Sequence, residues 1–359
     1  MSIDFTPERW DHIREMYTAW WAGELKRPLL HLTVHGRDPG RPEPRLPSYG
    51  FTARYGLDTN PSDIVDVWDY ELSRSRYLGD GFPSIWPNFG AGVAAAFLGA
   101  RLEAREETVW FHPQGDREPS ELHLTVQEGN PWLSRVKSIC GAALERWEGL
   151  VQVGMTDLGG NLDIVSSFRP GEKLLIDLCT QPDEVKRLTW EAHEQWWRFY
   201  EEINAVLQPV NPGYTAWTPI YSADPYYMLQ CDFCYMIGPD MFDEFVKPEL
   251  AASCTRLSNP FYHLDGPGQL PHLDSLLSID ELKGVQWVPG DGNARWDAWP
   301  DVYRRIRDAG KRIQVWGPME AVDKLIGELG SGEGIIAIIG VEREQEREAE
   351  EFLMKHGAA

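Results

Sequence analysis

The chain is predicted to be an α/β protein of the (β/α)8 TIM-barrel class, with an N-terminal helix and a β-hairpin insertion. Three observations predict it. Eight apolar runs of strand length recur, at residues 29–34, 84–89, 150–155, 214–221, 261–264, 285–288, 313–316 and 335–339. Amphipathic helical patterns separate most of them, as at 182–206, 239–257, 299–309 and 320–329, and such alternation implies a parallel sheet. A length of 359 residues with 42% hydrophobic content suits one barrel with insertions over 1–359. An open doubly wound sheet is the structural competitor.

The elements follow in order. Within residues 1–28, Thr6 is a candidate N-cap and Pro7 a first-turn proline for a helix that turns Trp10, Ile13, Tyr17, Trp20 and Trp21 to one side. The Pro-, Gly- and Arg-rich stretch 36–56 reads as a loop over the barrel. Residues 107–111 and 122–126 alternate at period two around Gly115-Asp116, which predicts a hairpin insertion over 105–127. Residues 229–237 read either as a ninth short strand or as an irregular lead into the helix started by Gly238-Pro239-Asp240.

The formal charge of −22 excludes nucleic acid and anionic membrane surfaces as natural partners, since both reward lysine and arginine. No apolar run approaches the roughly 20 residues that span a bilayer. The N-terminus reads as an amphipathic helix rather than a secretory signal, so a cytoplasmic protein is expected. Five cysteines, an odd number in a long chain, fit reduced thiols. Gly159-Gly160 lacks the full dinucleotide fingerprint, and neither a P-loop nor a Gly-x-Ser-x-Gly elbow occurs, so no NAD, no ATP and no serine-hydrolase chemistry are expected.

In a parallel barrel the residues just after each strand converge on one face. Those positions hold Asp157, Tyr221, Asp224, His263, Asp265, Trp287, Trp316 and Glu342. The segment Phe261-Tyr262-His263-Leu264-Asp265-Gly266-Pro267-Gly268 is the most informative of them. His263 and Asp265, two apart on a strand, point to one face. That pairing suits metal ligation or acid/base work, with Asp157 orienting substrate; the plainer reading is a turn-capping Asp beside a hydrogen-bonded His. Glu342 is the candidate third ligand. Trp217, Trp287 and Trp316, with Tyr221, would wall a substrate pocket suited to a methylated cation or a stacked ring, unless they merely close the core. Cys231-Asp232-Phe233-Cys234 has the spacing of half a zinc site or a redox pair, but buried thiols are the simpler account, and Asp232 matters more if the segment faces the mouth.

Several stretches resemble the uroporphyrinogen decarboxylase superfamily. They are residues 153–160, Val-Gly-Met-Thr-Asp-Leu-Gly-Gly; residues 168–178 with Pro182-Asp183-Glu184-Val185 after them; Cys231-Asp232-Phe233 leading to residues 241–248; and the His263-Leu264-Asp265-Gly266 turn. The resemblance covers most of the chain from about Leu150 onward. It implies a (β/α)8 barrel, commonly a homodimer, with its active site at the carboxyl ends of the strands. Members include decarboxylases of heme biosynthesis and zinc-dependent methyltransferases that exchange methyl groups with a corrinoid protein or coenzyme M. Two departures matter. Residues 27–34 lack the arginine cluster with which the decarboxylases neutralise substrate carboxylates, and Asp265 and Val341-Glu342 stand where the methyltransferases carry thiolate ligands. Set against the resemblance, these departures point to a harder histidine–carboxylate set of His263, Asp265 and Glu342, for zinc or another divalent metal, or to no metal at all. The expected function is demethylation of a small methylated substrate, with a corrinoid protein as acceptor. The alternatives are a decarboxylase of a small carboxylic acid, for which Arg37, Arg45, Arg54, Arg169 and Arg295 are the candidate mouth arginines, and a noncatalytic ligand-binding barrel.

Overall fold

The computed structural model describes residues 3–126 and 129–359. Its strands are β1 (Leu29–His35), β2 (Arg76–Gly79), β3 (Ser84–Ile85), β4 (Arg101–Ala104), β5 (Val109–His112), β6 (Gln152–Val153), β7 (Tyr226–Gln230), β8 (Asn259–Asp265), β9 (Gly284–Val288), β10 (Arg312–Trp316) and β11 (Ile335–Glu342). Seven of them form one sheet in the order β2-β1-β11-β10-β9-β8-β7. All its pairings are parallel except the antiparallel edge of β1 with β2. Helices connect the parallel strands, as βαβ crossovers require.

β3 and β6 form a separate parallel pair. Asp80 N, just after β2, donates to Leu30 O of β1 at 3.0 Å, and Leu158 N, five residues after β6, donates to Tyr227 Oη of β7 at 2.7 Å. Among the described residues the backbone ladders do not run continuously around a ring, so the fold established is an α/β one with a mainly parallel seven-stranded sheet and a separate two-stranded parallel pair. No helix among them is long and apolar enough to cross a membrane.

Three expected elements differ. Residues 214–221 make only an isolated Tyr214–Ser222 bridge, because Pro212 and Pro219 remove donors that a ladder needs. The strand is instead Tyr226–Gln230, which ends in a 3-10 turn at Asp232–Met236, so the irregular lead, and not a ninth strand, occupies 231–237. In the hairpin, Val109–His112 pairs backward with Arg101–Ala104, held on its face by Glu103 between Arg101 and Arg105. Residues 122–126 form no strand, and Gln127, the last residue expected in the insertion, lies outside the described residues. The helical pattern 239–257 is split into Pro239–Phe245 and Lys247–Arg256, since Pro248 cannot donate to the preceding turn.

The N-terminal helix Arg9–Ala22 covers the amino ends of the strands. Trp10 and Tyr17 pack on Phe82 and Tyr221, Trp20 stacks near Phe261, and the Arg312 guanidinium donates to Trp20 O at 2.9 Å. At the same end Asp80, fully buried, accepts from both Arg27 nitrogens at 2.6 and 2.9 Å and from Leu30 N at 2.9 Å. Burial alone would raise the Asp80 pKa, but the Arg27, His12 and Leu30 contacts outweigh it and hold the carboxyl below its usual range. Asp80 thus contributes stability that is present above the ordinary carboxylate pKa and lost as pH falls through the depressed one. Asp80→Ala, which strands the largely buried Arg27, is expected to cost about 3–5 kcal/mol in urea unfolding at neutral pH. The gap from wild type should narrow as the pH is taken down through the carboxylate range; a gap that does not change would show that the charge on Asp80 is not what stabilises this end.

Candidate functional site

β8 is paired so that His263 stands opposite Gln230 on β7 and Gln286 on β9, and Gln286 stands opposite Gln314 on β10. The side chains meet as the register dictates: His263 Nδ1 bonds Gln286 Oε1, and Gln286 Nε2 donates to Gln314 Oε1 at 2.6 Å. These residues therefore share one face. One step further along, the same face carries Asp265, Val288, Trp316, Ile338, Gly340 and Thr33, all half-buried or exposed. The opposite face carries Leu264, Trp287, Val315, Ala337, Ile339 and Leu32, all buried against the helices. Beyond the buried glutamines, then, this face becomes accessible to solvent at the carboxyl ends of the strands, where sites in such sheets are built. Gly266 turns the chain there at φ 78°, a conformation that favours glycine.

A second segment brings Asp232 to the same place. Asp163, on the helix Asn161–Phe168, accepts from Gly160 N, Asp232 N and Phe233 N at 3.2, 3.0 and 2.7 Å and so fixes the turn that follows β7. One ligand atom each from Asp232, His263 and Asp265 then lie within 4.8 Å of one another. Asp157 is buried nearby, accepting from Gly159 N at 2.9 Å and from Gln230 Nε2 at 3.1 Å.

The electrostatics are those of an acid-rich cluster. Burial pushes Asp157 up to about 7 against the Gly159 hydrogen bond, and the Asp232 carboxylate adds to the shift. Burial and Asp232 likewise push Asp163 up to about 7, and burial and Asp265 push Asp232 up to about 6. Burial lowers the His263 pKa, opposed by the Gln286 bond and by Asp265. The charges that act most on Asp157, Asp163 and Asp232 are one another's carboxylates and Asp265, with no lysine or arginine among them. Asp232 exposes surface area while being crowded by protein atoms.

The other expected site residues divide. Trp217 reaches the site from the irregular segment, its ring 5.1 Å from His263 in an edge-on contact. Trp316 shares the cavity face with Gln314 by strand alternation. Trp287 does not line the cavity: it follows Gln286, points to the helix side and packs on Trp299 at 5.4 Å. Tyr221 is also displaced, because its segment is not a strand; it is buried under the N-terminal helix against Trp10 and Tyr17. Glu342 ends β11 opposite His35, exposed and outside the three-residue cluster, where Asp232 takes the place expected for it. Cys231 and Cys234 are buried thiols whose pKa values burial raises. Of the candidate arginines, Arg169 is clasped by Asp177, Arg295 by Asp297, Arg54 lies over Tyr49, Arg37 donates to Ser73 O, and Arg45 is exposed. Sequence reasoning missed Asp163, Gln286 and Gln314. A signal existed for the glutamines, since each interrupts an otherwise apolar strand, Val-Gln-Trp-Val and Ile-Gln-Val-Trp.

No family model matches the chain, and no curated protein sequence does. Among solved structures, a methyltransferase from Methanosarcina mazei is similar to it with a TM-score of 0.58, over 92% of this chain and 93% of that one, at 14% identity. At that identity the likeness establishes a shared fold along nearly the whole of both chains.

Asp163→Ala leaves three backbone donors without their acceptor. The expected outcome is a loss of about 2–4 kcal/mol of stability and faster hydrogen exchange at the amides of Asp232 and Phe233, with exchange in β10 and β11 unchanged. Unaltered exchange at those two amides would show that Asp163 does not hold the turn.

Proposed function

We propose that this protein is a methyltransferase-like enzyme, related to the uroporphyrinogen decarboxylase superfamily, that removes a methyl group from a small methylated substrate in the cavity at the carboxyl end of β8. The observation that carries the reading is the convergence of Asp232, His263 and Asp265 in an acid-rich cluster, where the strongest charge acting on Asp232 is another carboxylate. A carboxylate substrate entering that cavity meets like charge, which weighs against the decarboxylase reading. The shared fold is consistent with the proposal.

A divalent cation fits the donor set. Two donors on one such ion stand at most about 4.2 Å apart at bonds of about 2.1 Å, so groups already within 4.8 Å reach that spacing by small side-chain rotations. One imidazole nitrogen with two carboxylate oxygens is a borderline-to-hard set, suited to zinc or manganese. When bound, such an ion supplies Lewis acidity to the oxygen or nitrogen that the methyl group leaves.

The chain's own residues supply the rest. Asp232, His263 and Asp265 hold the ion, and Trp217 and Trp316 wall the cavity, limit water and offer ring surface to a methyl or methylammonium group. Asp157, whose pKa lies near neutrality, holds a proton at its carboxyl within the site. A corrinoid protein is the proposed methyl acceptor, and a cytoplasmic homodimer the proposed state.

Two measurements test this. Elemental analysis after dialysis against zinc or manganese should find about one ion per wild-type chain, lost in His263→Ala, Asp232→Asn and Asp265→Asn but retained in Glu342→Gln. Loaded protein given reduced cobalamin and a panel of methylated amines and methoxylated compounds should form methylcobalamin from at least one of them. Stoichiometric metal with no transfer from any would overturn the methyl-transfer reading, and wild type without metal would overturn the metal site.

A further inference from the structure

The two glutamines beside His263 are unusual occupants of their positions. Inward positions of parallel barrels are normally filled by branched apolar side chains. Gln286 and Gln314 sit there fully buried, and Gln314 Nε2 has no partner among the described residues. An unpaired buried donor costs about 1–3 kcal/mol, so packing alone does not favour the pair.

Their geometry gives them a task. Gln286 presents its carbonyl to His263 Nδ1 and its amide nitrogen to Gln314 Oε1. With Gln286 donating toward Gln314, its oxygen is the end turned to the imidazole, an arrangement that forms a hydrogen bond when Nδ1 carries the hydrogen. In a free neutral imidazole the Nε2–H form predominates, so this arrangement opposes the intrinsic preference. We propose that Gln286 and Gln314 are positioning residues that hold His263 in the Nδ1–H tautomer, leaving the Nε2 lone pair for the Asp232–Asp265 cluster. The inference rests on the reading of His263 as a ligand. It adds the outer shell that orients that ligand, a role in which partners commonly govern affinity.

The test reads the tautomer directly, on metal-free protein. Imidazole 15N NMR, with His263 assigned by comparison with His263→Ala, should show Nδ1–H in wild type. Gln286→Glu should keep it, since a carboxylate still accepts from Nδ1–H, and Gln286→Leu should shift it to Nε2–H. A role limited to packing would change the melting temperature but not the tautomer. In zinc competition titrations, Gln286→Leu should weaken binding about 10–100-fold while Gln286→Glu stays near wild type. Nε2–H in wild type overturns the proposal, as does Nδ1–H persisting in Gln286→Leu; should that variant fail to fold, the wild-type spectrum and Gln286→Glu decide it. The tautomer is read without metal, so wild type that binds no zinc would refute the metal site and leave the tautomer result standing.

Discussion

Parallel pairing of β7, β8, β9 and β10 sets Gln230, His263, Gln286 and Gln314 in one row across the sheet, and the site depends on that row. Side chains on a strand alternate between faces, so a slip of one residue in any of these pairings would send the polar groups into the helix layer and bring apolar ones into the cavity. The slip is opposed from both sides. Val285, Trp287, Leu264 and Val315 are buried on the helix side, and the His263–Gln286–Gln314 bonds form only in register.

The two ends of the sheet solve different problems. At the amino ends, Arg9–Ala22 lays an aromatic layer over the strands, and the single buried carboxylate there, Asp80, is met by a guanidinium and a backbone amide. At the carboxyl ends, Asp157, Asp163, Asp232 and Asp265 gather near His263, and the charges that act most on the first three are carboxylates. Asp163 is answered by three backbone amides and Asp157 by an amide and Gln230, while Asp232 and Asp265 are left to face the cavity.

Much of the fold was legible because the strands are nearly continuous apolar runs and the helices strongly amphipathic. The run ending His263-Leu264-Asp265-Gly266 was readable as a site for the same reason, since alternation and a glycine turn are local properties. The strand between β6 and β8 was misplaced because residues 214–221 and 226–230 are both apolar and aromatic, and only the bonds available around Pro212 and Pro219 separate them. Trp287 and Tyr221 were assigned to the pocket on their place in sequence. Burial favours a large aromatic ring on the helix layer or under the N-terminal helix as much as on a cavity wall.

By itself the sequence determined the alternation of strands and helices, the strand end that carries His263 and Asp265, and the strong net acidity of the chain. These follow from periodicities and charges that act over a few residues or over the whole chain. Only the tertiary structure decided that Asp232 and not Glu342 stands with His263 and Asp265, that Asp163 holds Asp232 there, and that Gln286 and Gln314 line up behind the histidine. Each of these is a contact between residues tens of positions apart, brought together by strand register and a capped turn, and no local pattern carries that information.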